Sequence, residues 1–118
     1  MSSAAMLRYS NHPAADHLPQ MSSEGYIAFR DHMRSNGYDP RHPIVLYQGQ
    51  ILDGRHRYRA ALELGLEPVF ITVEDGANPW EVAITGELRR NYETEVQRVL
   101  CLQPLVEASA AWQEQQRQ

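Results

Sequence analysis

Apolar and polar positions change period several times along this chain, and each change marks an element. Tyr26, Ile27, Phe29 and Met33 recur at helical spacing behind Ser22 or Ser23, and Asn36-Gly37 closes the run, so "SEGYIAFRDHMRSNG" is predicted as a capped helix. "YDPRH" reads as a turn. The period then drops to that of a strand. Ile44 to Tyr47 and Gln50 to Leu52 flank Gln48-Gly49, which predicts a β-hairpin. A second helix is expected from Asp53, as its N-cap, to Leu64, with Gly65 as the stop. "PVFITVE" is rich in β-branched and aromatic residues and reads as another strand.

Asn78-Pro79-Trp80-Glu81 has the form of a helix start, with Asn78 as cap, Pro79 in the first position and Glu81 reaching back, and that helix is expected to run to about Arg90. Thr94 with Gln97 caps a last helix, which Pro104 is expected to kink or restart; the closing "QEQQRQ" reads as loose. Cys101 falls in an apolar stretch of that helix and reads as a small core residue. Residues 1 to 11 lack periodicity and are expected to fray. "HPAADHLPQM" carries two prolines and reads as an extended arm or short edge strand. The order α, β-hairpin, α, β, α, α predicts a small α+β (mixed α/β) domain in which helices cover a short sheet.

Composition narrows the picture. The chain has 118 residues, enough for one domain with its own core. Its net charge is −4, which disfavours gripping a DNA backbone non-specifically. One cysteine excludes an internal disulfide, no secretory leader is read at the start, and the apolar runs are too short to span a bilayer, so a cytoplasmic setting is expected.

Against this acidic background, "ILDGRHRYRAALELG" concentrates Arg55, His56, Arg57 and Arg59 at the start of a helix. Cations there oppose the helix dipole, whereas a bound phosphate would favour them, and Gly54 would let a ligand approach the backbone. The alternative is a solvated face on which Arg59 pairs with Glu63. Asp53 competes with a phosphate for the helix N–H groups unless a divalent cation joins the two. A second cluster, Glu87, Arg89 and Arg90, also mixes acid and base, and arginines near a helix C-terminus are equally explained by the dipole.

Together the two clusters resemble the ParB/sulfiredoxin superfamily, the domain often called ParB-like nuclease. That family has a helix ending in Gly, a strand like "PIVL" and a Gly-x-(Arg/His)-Arg-x-x-Ala box, matched by Gly54 to Ala61. A strand matched by Pro68 to Val73 follows, then a box matched by Glu87-Leu88-Arg89-Arg90, then a helix opening like Thr94 to Gln97. The resemblance covers residues 12–103 and implies a nucleotide-binding domain there, with 104–118 a helical tail.

It also implies that Gly54, His56, Arg57 and Arg90 hold nucleotide phosphates and that the second box, through Glu87, helps hold Mg2+. The basic clusters themselves add Arg55 and Arg89 to the phosphate site, and the cap conflict adds Asp53 as a Mg2+ ligand, with Asp53 and Glu87 acting in any catalysis. The nucleotide would be CTP or ATP. The role implied is a switch or regulator in a DNA-related process, with DNA or a DNA-binding partner reached through other regions, a homodimer allowed, and no membrane. A small-molecule kinase or nucleotide hydrolase is the alternative; a nuclease is disfavoured because no dense carboxylate cluster is present. Arg55 stands where sulfiredoxins carry their catalytic cysteine, which excludes sulfinic-acid reduction. Gly86-Glu87 stands where partition proteins carry Glu-Asn, which weakens the expectation of CTP hydrolysis.

Overall fold

Strand alternation divides the core in two. Ile44, Leu46 and Ile51 face one side of the sheet and pack with Tyr58 and Phe70; Tyr47 and Leu52 face the other and pack with Ala14, Ala83 and Leu105. A sheet apolar on both faces needs a helical layer on each, and the computed structural model, which describes residues 9–16, 20–88 and 94–117, has that arrangement. Its elements are β1 (Ser10–Asn11), α1 (Pro13–Asp16), α2 (Ser23–Asn36), β2 (Ile44–Tyr47), β3 (Gln50–Asp53), α3 (Arg55–Leu64), β4 (Phe70–Val73), α4 (Pro79–Leu88) and α5 (Glu95–Gln116). The chain is a small mixed α+β domain, as its pattern predicts.

The sheet order is β1-β3-β2-β4. The β2–β3 hairpin is antiparallel, and the two outer strands run parallel to their neighbours. Gln48 and Gly49 both have positive φ, 49° and 79°, the handedness a two-residue hairpin requires. The predicted caps at Ser22 and Thr94 are present: Gly25 N donates to Ser22 Oγ at 3.0 Å and Gln97 N to Thr94 Oγ1 at 3.1 Å.

Several expectations are corrected. Ser10–Asn11, expected to fray, pair with β3. Pro13 to Asp16, expected to be extended, form α1, because Pro13 suits a first helical turn and His12 Nδ1 accepts from Ala14 N at 3.0 Å. Asp53 is the last residue of β3 rather than a helix cap; Gly54, at φ 96°, takes the cap position without a side-chain hydrogen bond. Asn78 does cap α4, its Oδ1 accepting from Trp80 N, but Glu81 accepts from Gln113 Nε2 on α5 instead of reaching back. Pro104 does not break α5, which runs on to Gln116 through the stretch expected to be loose; beside it Leu105 is fully buried, and Cys101 is half-buried. The expected end of α4 at Arg90 lies outside the described residues.

His12 joins several of these contacts. Its ring packs edge-on against Tyr47 and Trp80. Burial holds the imidazole below its ordinary pKa of 6.5, against the opposing pull of Asp16. Because the folded value lies below the unfolded one, the unfolded chain takes up this proton first as pH falls, and the contribution to stability declines from 6.5 down through the folded value. His12→Asn keeps a capping acceptor but does not titrate. Urea midpoints of wild type and variant at several pH values below neutrality should show the smaller acid loss in the variant; parallel curves would contradict the assignment.

Candidate functional site

The turn from β3 into α3 sets the geometry. A Cβ built on Gly54 would lie 3.2 Å from Ile44 Cα, 3.3 Å from Ile44 Cγ1 and 3.1 Å from Arg57 Nη2. The missing side chain is therefore used to press α3 against β2. It serves packing within the protein, where the sequence suggested close approach of a ligand.

From that start, successive α3 residues diverge by roughly 100°. Arg55 Nη1 donates to the Ala15 carbonyl at the end of α1. His56 Nε2 accepts from Met21 N at 3.4 Å, ahead of α2. Arg57 turns the other way: Nη2 donates to the Pro43 carbonyl at 3.1 Å and lies 3.7 Å from Asp53 Oδ2. Arg59 Nε donates to Glu63 Oε1 at 3.0 Å, the pairing expected from spacing, and its guanidinium stacks on Tyr26. The expected single basic cradle is thus divided. Arg55 and His56 face one side of α3, beside Gln20 and Asp16, while Arg57 faces the other.

What the fold brings together is Asp53, Gly54, Arg57 and the end of α4. A Cβ on Gly86 would lie 3.5 Å from Asp53 Oδ2, so α4 approaches the end of β3 at Gly86. Glu87 follows Gly86 but is only 4% exposed. Arg89 and Arg90 lie outside the described residues. Among the described residues no group of three or more His, Cys, Asp or Glu could hold a metal. Mg2+ carried by a phosphate needs one or two carboxylates, and Asp53, 41% exposed, fits that need; Glu87 is too enclosed to meet a ligand in this conformation.

Beside Arg57 opens a cavity of about 630 Å³, within the usual range for small-molecule sites. Phe29, Met33 and Tyr38 supply apolar and aromatic wall, His32 and Asn36 polar groups, and Arg41 and Arg57 positive charge. Burial pushes the Tyr38 hydroxyl up, against the pull of Arg57. Arg57 Nε is buried, with no hydrogen-bond partner among the described residues, which is uncommon enough to need a cause. Sequence reading missed this cavity because its wall comes from α2 and the turn after it; the clustering of Asn36, Tyr38, Arg41 and His42 around one turn was the available signal.

No protein-family model, curated protein or solved structure matches the chain. No helix among the described residues is long and apolar enough to cross a membrane.

Two glycines with positive φ separate the roles of conformation and contact. Gly65, at φ 69°, has nothing within 4 Å of a built Cβ. Gly65→Ala should cost about 1–2 kcal/mol of left-handed strain alone. Gly54→Ala adds overlap with the Ile44 backbone and should cost clearly more in a urea titration; equal costs would show that α3 is not pressed onto β2 at Gly54.

Proposed function

We propose that this domain binds a nucleotide, CTP or ATP, accompanied by Mg2+, and acts as a switch or regulator in a DNA-related process. The observation that carries the reading is the cavity beside Arg57. An aromatic and polar wall of suitable volume leads to the half-buried guanidinium of Arg57, which adjoins the uncapped start of α3 and the exposed carboxylate of Asp53. The resemblance of the two sequence boxes to the ParB/sulfiredoxin superfamily supports the same reading and is the source of its DNA-related part.

In this arrangement the base occupies the wall of Phe29 and Tyr38, and the phosphates lie toward Arg57 and the N–H groups of α3, where dipole and charge both favour an anion. Mg2+ would offset phosphate charge near Asp53. Arg57 orients the phosphates, Asp53 is the protein carboxylate available to the cation, and Gly54 fixes both by holding the turn. Arg55 and His56 act indirectly, anchoring α3 to the segments that precede it.

Titration calorimetry with CTP and ATP, with and without Mg2+, tests the proposal. Loss of a charged hydrogen bond costs roughly 1.5–3 kcal/mol, so Arg57→Ala should weaken binding by about ten- to a hundredfold. Arg59→Ala, which removes an exposed partner of Glu63 on the other side of α3, should leave affinity near the wild-type value. Absence of nucleotide binding, or equal losses in the two variants, would overturn the reading.

A further inference from the structure

The rim of the cavity carries an ion pair that packing does not hold in place. The turn between α2 and β2 leaves the helix at Gly37, φ 78°, and is closed by Tyr38 Oη donating to the His42 carbonyl at 2.8 Å. Asp39 and Arg41 stand at its tip. Arg41 Nε donates to Asp39 Oδ1 at 3.0 Å and to Oδ2 at 3.2 Å, and Nη2 donates to Oδ2 at 2.9 Å. The Arg41 backbone N–H also donates to Oδ1 at 3.0 Å. His42 Nε2 lies 3.9 Å from the same carboxylate. Bonding to Arg41 holds the Asp39 carboxyl well down, to about 2, so it stays ionised throughout the physiological range.

The Arg41 side chain is 83% exposed. The pair is bidentate but solvent-exposed and screened by salt, so an anion of higher charge can compete with the carboxylate for Arg41. A phosphate is such an anion, because it offers a guanidinium the same two-oxygen contact as Asp39 and carries more negative charge. Among the described residues lining the cavity Asp39 is the sole carboxylate, bound to Arg41, and Arg57 lines the same cavity. Arg57 is already engaged with Pro43 and Asp53, whereas among the described residues Arg41 has only Asp39 to leave.

We propose that Asp39 is a placeholder for a ligand phosphate, and that Arg41 exchanges from Asp39 to that phosphate when the cavity fills. This rests on the nucleotide reading and makes it narrower: the ligand carries at least two phosphates, one met by Arg57 and one by Arg41. Asp39 keeps its bond from the Arg41 backbone N–H during the exchange, so the turn holds its shape. A nucleoside monophosphate brings one phosphate, which Arg57 holds, and Arg41 stays on Asp39.

Calorimetry with CTP, ATP, their monophosphates and inorganic pyrophosphate tests the exchange. Arg41→Ala, at an exposed side chain, should weaken triphosphate and pyrophosphate binding by about tenfold or more, the equivalent of one charged hydrogen bond, and leave the monophosphates nearly unchanged. Asp39→Asn keeps the acceptor for the backbone N–H, removes the competing charge, and should tighten triphosphate binding several-fold. That gain should largely disappear in the Arg41→Ala background. A full gain in the double variant would reduce Asp39 to general repulsion and overturn the exchange, as would equal triphosphate affinity in wild type and Arg41→Ala. If wild type binds none of the probes, the nucleotide reading falls as well, which separates the two failures.

Discussion

The constraint that governs this fold is the contact of Gly54 with Ile44. A Cβ there would sit 3.2 Å from Ile44 Cα, tighter than an ordinary contact, at a φ of 96° that only glycine adopts without strain. Everything placed by α3 follows from it. Tyr58, Ala60 and Ala61 enter the core, which fixes the rotation of the helix about its axis. With the rotation fixed, Arg57 must turn back toward Pro43 and Asp53, Arg55 must reach α1, and Arg59 must lie on Tyr26 of α2.

The same constraint explains how an acidic domain accommodates so many bases at one helix start. Each is bonded locally to a different element: a carbonyl of α1, the segment before α2, the residue ahead of the hairpin, and Glu63. Glu63 also accepts from Arg30 at 2.9 Å, so one carboxylate ties α3 to α2 through two guanidiniums. Basic residues adjacent in sequence thus serve mainly as ties between layers. Arg57 differs from its neighbours in having a buried nitrogen left over and a cavity in front of it.

Much of the architecture was legible because local chemistry decided it. Gln48-Gly49 determines the hairpin by its φ requirement, and Ser22, Thr94 and Gly65 mark helix ends by bonds to their own neighbourhoods. What was not legible depended on partners distant in sequence. Glu81 has the spacing of a capping residue, yet Gln113 offers it a bond from another helix. Pro104 would break an isolated helix, but Leu105 and Ser109 bury themselves against the rest of the fold and α5 continues. Asp53 looked like a cap because the pattern did not reveal that the strand would run one residue further. At the site, the basic run pointed to Arg57 and hid the divergence of its neighbours. The cavity wall, built by α2 and by a turn fifteen to twenty residues ahead of Arg57, was announced only by the polar and aromatic residues clustered at that turn.

The central claim is that ligand meets protein on the Arg57 side of α3. A titration of 15N-labelled protein with Mg2+ and CTP or ATP, followed by amide NMR, tests it most directly. The account predicts that the amides of Gly37, Tyr38, Arg41 and Gly54 shift together with the Arg57 side chain, while Gln20, Ile27 and Leu62 across α3 hold their positions. Shifts gathered around Gln20 and Leu62, or no shifts at all, would contradict it.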